Sequence, residues 1–229
     1  MIRSMTYIAA MMIVFSVAAQ KQEIRVDDFS ELTFGTSGVL YLTQGSEAKV
    51  VVDADEDILE KIDFDQRGDR LVIRNRNDRG WNRGWGKYEL KIYVTMRDIE
   101  AITLSGSGPI YGESLLKTDD LEVKLSGSGS MELEVESRDL EIGISGSGSI
   151  EMEGSGEEVY ARISGSGKIK ADDLEVKSLD ARISGSGSIY MSVEDEIEAS
   201  ISGSGNVYYR GDPDRVINSA SGSGKIRRM

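Results

Sequence analysis

The chain has 229 residues, a formal charge of -13, an apolar content of 39% and neither cysteine nor histidine. The missing residue types exclude disulfide staples, thiol chemistry, zinc sites of the Cys/His type and histidine-based acid–base catalysis. The acidic balance speaks against nucleic-acid binding driven by phosphate contacts.

Met1 to Ala19 reads as a secretory signal peptide. Arg3 gives the positive start, Ile8 to Val17 is an apolar run, and Val17-Ala18-Ala19 offers small residues for cleavage. The run is too short for a membrane-spanning helix, so the expectation is an exported protein of the periplasm, cell surface or extracellular space. Contact with a membrane would be peripheral at most.

Residues 20–104 read as an irregular β region continuous with residues 105–229. Phe29, Leu32 and Phe34 begin it. Val39 to Thr43 and Ala48 to Val52 come next as strands around a Gln44-Gly45-Ser46 turn. Asp57 to Ile62 carries the one helical pattern, one or two turns long. Strands at Arg70–Arg74 and Tyr88–Val94 then flank a loop from Asn75 to Lys87.

That loop holds both tryptophans and a cluster of positive charge in an acidic protein. Trp81 and Trp85 are candidate stacking groups for a sugar or another apolar surface, and Arg79 and Arg83 are candidate donors to carboxylate or phosphate. The alternative is a hairpin loop whose tryptophans fold back on the end of the molecule.

From residue 105 to 229 the tetrapeptide Ser-Gly-Ser-Gly recurs, beginning at Ser105, Ser126, Ser145, Ser164, Ser184, Ser202 and Ser221. The intervals are 21, 19, 19, 20, 18 and 19 residues. A fixed period near 20 marks a solenoid of stacked rungs rather than a flexible linker.

Aligned on the tetrapeptide, the preceding position reads Leu104, Leu125, Ile144, Ile163, Ile183, Ile201 and Ala220. Three and five residues before it, the positions are again mostly apolar, and two residues after it they are uniformly so, from Ile110 to Ile226. Alternate apolar residues place one face of each strand inward. The fold class this implies is all-β: a right-handed parallel β-helix with rungs of about 19 residues and Ser-Gly-Ser-Gly corners. Up-and-down antiparallel hairpins are the alternative.

At the corners, small residues let rungs stack, glycine can take positive φ, and serine hydroxyls can bond backbone groups or one another. A nest of corner N–H groups holding an anion is the functional counterpart. No phosphate-loop motif occurs, so no cofactor is expected. Nor is any metal. The outward columns mix Glu122, Glu141, Tyr160 and Asp180 with Lys124, Arg162 and Arg182, a solvated face whose charges offset one another. Only Gly112–Asp120, Glu153–Glu158 and Gly211–Arg215 depart from the repeat.

The exported start, the stretch Ser37 to Gly45, the segment Asp57 to Ile62 and the Ser-Gly-Ser-Gly-x-Ile repeats resemble the family described as "putative auto-transporter adhesin, head GIN domain". The resemblance implies a β-helix in a cell-envelope or extracellular setting. It carries over no catalytic residue. The functional expectation is a non-enzymatic binding or scaffold module, with a surface glycan or an envelope protein as partner. A carbohydrate-binding or carbohydrate-cleaving β-helix is the alternative.

Overall fold

The computed structural model describes residues 20–76 and 89–229. The signal-peptide segment, residues 1–19, and the predicted site residues Arg79, Trp81, Arg83 and Trp85 lie outside them.

The repeats stack as a parallel β-solenoid. Strands β10 (Leu116–Gly127), β11 (Ser130–Gly146), β12 (Ser149–Gly165), β13 (Lys168–Gly185) and β14 (Ser188–Gly203) each run most of a rung. Successive strands pair in parallel with like columns opposed: Leu125 beside Ile144, Ile144 beside Ile163, Ile163 beside Ile183. Parallel pairing rules out the hairpin alternative for the repeats. Ile110, Met131, Ile150, Ile169, Ile189 and Val207 are fully buried, as are Val123, Ile142, Ala161, Ala181 and Ala199. The alternation therefore does what an apolar pleat requires: one face leaves water and the other stays wet.

The stretch Glu153–Glu158 departs from the repeat in that the register against β13 shifts between Glu151 and Glu153, yet it does not break the strand. It belongs to β12 and pairs with Glu134–Asp139 of the previous rung. Gly154 makes this possible, because a β-carbon there would lie 2.0 Å from the carbonyl oxygen of Val135.

The stack continues into the N-terminal region, where its periodicity is hidden. β2 (Glu31–Gly35) pairs with β8 (Ala101–Leu104), setting Phe34 beside Leu104. β3 (Val39–Gln44) pairs with β9 (Pro109–Gly112), setting Leu40 beside Ile110. Gly35-Thr36-Ser37-Gly38 thus occupies the corner above Ser105-Gly106-Ser107-Gly108.

Beyond it, β6 (Arg70–Asn75) pairs with β2, and β7 (Lys91–Met96) pairs with β3. The segment 76–90 therefore joins two strands that every other rung joins by a four-residue corner. The predicted strand at Tyr88–Val94 is correspondingly β7, beginning at Lys91.

The pairing turns antiparallel at this end. β4 (Lys49–Ala54) covers the edge of β7, β1 (Gln20–Ile24) covers β4, and β5 (Ile62–Arg67) covers β6. The helix α1 is one turn at Glu56–Leu59, within the expected one or two turns, but it ends before Ile62, which already belongs to β5. Only Ile58 of its four residues is buried, so an apolar face long enough for a second turn is absent.

At the other end, β15 (Asn206–Arg210) and β16 (Arg215–Gly222) form the last complete rung, stacked on β14, and β17 (Lys225–Arg228) stacks in turn on β15. The inward residue Val216 of β16 is 43% exposed.

Candidate binding surfaces

Three exposed features of this prism can meet a ligand: the corner ridge, an acidic trough and a tyrosine column. The first is the stacked corners. At Gly127, Gly146, Gly165, Gly185, Gly203 and Gly222 the chain takes φ between 118° and 127°, a region open to glycine and costly to other residues. Corner N–H groups donate along the stack to the preceding rung. Ser147 and Gly148 donate to the carbonyl of Gly127 at 3.0 and 3.1 Å, Ser166 donates to Gly146 at 2.9 Å, and Ser186 donates to Gly165 at 2.9 Å.

These N–H groups are satisfied by carbonyls of the preceding rung, so at these positions serine is not needed to bond the backbone and the N–H groups are not free to cradle an anion. The side chains of Ser126, Ser145, Ser164, Ser184 and Ser202 instead stand exposed.

The second feature is a trough of about 1030 Å³ along the strands that lead into the corners. Two neighbouring carboxylate columns line it: Asp120, Asp139 and Glu158 in one, Glu122, Glu141 and Asp180 in the other. Basic neighbours answer them. Lys124 bonds Glu122 and lies 3.7 Å from Glu141, Arg138 sits 2.9 Å from Asp139 and 3.5 Å from Asp120, and Arg182 sits 3.0 Å from Asp180.

Hydrogen bonding to Glu122 raises the Lys124 ammonium above the ordinary lysine range, and bonds to Asp139 and Asp180 do the same for Arg138 and Arg182. Arg162 departs from the expected pattern. It donates to the Tyr160 hydroxyl, and its guanidinium lies 5.3 Å from that ring while Arg182 lies 5.1 Å from it. Among the described residues no group of carboxylates is arranged to hold a metal ion.

The third feature was only half visible in the sequence. Three residues past each corner, the outward column runs Tyr93, Tyr41, Tyr111, Glu132, Glu151, Lys170, Tyr190, Tyr208 and Arg227. Tyr41 stacks on Tyr93 with ring centres 5.0 Å apart and meets Tyr111 at 5.9 Å; Tyr190 stacks on Tyr208 at 4.8 Å. Column alignment on the tetrapeptide finds Tyr111, Tyr190 and Tyr208. It misses Tyr41 and Tyr93, because their rungs lack the tetrapeptide. The signal was an aliphatic–tyrosine pair, Leu40-Tyr41 and Ile92-Tyr93, matching Ile110-Tyr111.

The predicted loop site can be located only by its flanks. Arg76 N–H donates to the Lys61 carbonyl at 2.8 Å, and the buried Leu90 accepts from Val39 N–H at 2.8 Å. These bonds fix where the segment leaves and re-enters the sheet.

Residues 28–213 match the family described as "Putative auto-transporter adhesin, head GIN domain". None of the curated proteins matches. Among solved structures, a "putative adhesin" of Bacteroides fragilis superposes with a TM-score of 0.86 at 23% identity, covering 92% of this chain and 96% of that one. A "putative lipid binding protein" of Parabacteroides distasonis gives 0.72 at 25% identity, covering 92% and 96%. A "putative adhesin" of Parabacteroides merdae gives 0.70 at 21% identity, covering 92% and 95%.

Proposed function

The chain belongs to the head GIN domain family, and from that premise we propose that it is exported and works as a non-enzymatic binding or scaffold module of the cell envelope. The observation that carries this reading is the in-register stacking of outward columns over successive rungs. Such a stack offers long, rigid, open faces, the form of surface that solenoids use for extended partners.

The trough favours binding over catalysis. Its carboxylates stand in rows, most of them engaged by a lysine or arginine, whereas a hydrolytic pair needs two carboxyl groups set apart in role by their surroundings. The leader-like segment with Arg3 and the apolar run Ile8–Val17 supports export. An acidic, cysteine-free surface suits an exported protein that stays dissolved without redox chemistry.

Two measurements test the reading. The full chain, expressed in a bacterium, is expected outside the cytoplasm with its N-terminus cut near Gln20; retention in the cytoplasm with Met1 intact refutes export. Labelled residues 20–229 are expected to bind isolated cell envelopes saturably. Binding no greater than that of an unrelated acidic protein of similar size overturns the binding role.

A further inference from the structure

At one end of the outward column three successive positions are uncharged tyrosines, Tyr93, Tyr41 and Tyr111. They lie side by side on three adjacent strands, flanked by Val39 and Lys91 toward the corner and by Thr43 and Thr95 away from it. All seven are half-buried, and Lys91 is paired with Glu89 at 3.6 Å. Between the strand ends the strip of rings and threonines therefore carries no unpaired charge of its own, on a chain with a charge of -13.

Stacking decides what the strip can offer. The Tyr41 and Tyr93 planes are only 14° apart, so each ring covers the other's face, and Lys21 covers Tyr93 from the far side at 5.1 Å. With their faces spent on one another, the rings present edges and phenol hydroxyls. Among the described residues these three hydroxyls have no hydrogen-bond partner, whereas the Tyr160 hydroxyl in the trough is bonded by Arg162.

We infer that this column is the docking surface for a linear, uncharged polysaccharide laid along the solenoid axis. The inference rests on the reading of the chain as a binding module and names its ligand class. Three observations select that occupant. The hydroxyls recur at the rung spacing, about 4.8 Å, which is close to the advance of one sugar unit in an extended glycan, so one unit faces one rung. A row of hydroxyls recognises hydroxyl and ether oxygens rather than an apolar surface. Charge then sorts the polymers: an anionic chain is repelled by the acidic protein, and a cationic one is drawn to the carboxylate trough, which leaves the neutral strip to a neutral chain.

Farther along the same column, Glu132 and the Glu151–Lys170 ion pair at 3.0 Å separate this station from a second one at Tyr190 and Tyr208. Chains long enough to reach both stations gain by linkage.

The test is affinity electrophoresis of residues 20–229 through gels containing xylan, a soluble β-glucan or mannan, with alginate and chitosan as charged controls. At least one neutral polymer is expected to retard the protein, with alginate giving none. The variant Tyr41→Phe/Tyr93→Phe/Tyr111→Phe keeps the rings and removes the hydroxyls; it is expected to weaken binding about tenfold or more. Tyr41→Phe alone is expected to weaken it by a smaller factor and serves if the triple variant folds poorly. Retardation by no neutral polymer, or triple-variant mobility equal to that of the parent, overturns the inference. Saturable envelope binding with no retardation by any polysaccharide overturns the glycan assignment alone; loss of both overturns the binding role as well.

Discussion

The carbonyl oxygen of Gly127 lies 2.5 Å from where a β-carbon on Gly146 would stand. Gly146 also has φ of 127°, so alanine there meets both a backbone clash and an unfavourable conformation. The neighbouring Ser145 side chain is exposed. Gly146→Ala is expected to cost about 1–3 kcal/mol of stability, whereas Ser145→Ala is expected to stay within about 0.5 kcal/mol. Urea denaturation of both variants checks this. Equal effects would mean that serine, not glycine, specifies the corner.

Ile197 and Val216 occupy the same inward column one rung apart, paired across β14 and β16. Ile197 is fully buried and Val216 is 43% exposed. Ile197→Ala is expected to cost about 2–5 kcal/mol through lost burial and the cavity left behind, and Val216→Ala less than about 0.5 kcal/mol. A thermal melt of each variant decides it. A comparable loss at Val216 would show that the last rung is covered in solution.

These two contrasts mark how far the sequence could be read. The column pattern at Leu125, Ile144, Ile163 and Ile183 is enough to specify a parallel stack, because each residue must face the same core from the same rung position. Pattern does not report burial at the end of a stack, where Val216 keeps its type and loses its cover.

Nor does it show corners built from other residues. Gly35-Thr36-Ser37-Gly38 works as a corner because Gly108 and Gly106 lie directly against it, their absent β-carbons 2.0 Å from the Gly38 oxygen and 2.3 Å from the Thr36 oxygen. That contact spans about 70 residues of sequence, and no local signal announces it. The antiparallel strands β1, β4 and β5 are likewise fixed by the need to cover strand edges, a demand set by the assembled sheet. The tyrosine column stayed incomplete for the same reason: Tyr41 and Tyr93 join it only once those hidden rungs are in place.

Lys124 holds its proton more tightly than a free lysine, chiefly because its ammonium donates to Glu122. A lysine whose pKa is raised on folding contributes stability that is fully present below its unfolded value of about 10.4 and is lost as pH rises through the folded value. Lys124→Met is therefore expected to be slightly less stable than the parent from neutral pH up to the ordinary lysine range, with the difference closing at higher pH. The side chain is 46% exposed, so the difference is small. Urea midpoints of parent and variant measured in parallel across that range check it. A gap that stays constant through the alkaline range would show that the effect comes from packing of the lysine stem rather than from its charge.

Thr36 is only 2% exposed, and its hydroxyl oxygen has no hydrogen-bond partner among the described residues. A buried hydroxyl without a partner keeps its desolvation cost and returns nothing for it. Valine has the same branched shape and no polar atom, so Thr36→Val is expected to leave the fold intact and to be neutral or stabilising by up to about 1 kcal/mol. Thr36→Ala, which removes a buried methyl group as well, is expected to be destabilising, because the space it leaves beneath Gly106 cannot close against a corner held by backbone contacts. Melting both variants separates the two contributions. Destabilisation by valine of more than about 1 kcal/mol would mean that the hydroxyl is bonded in solution.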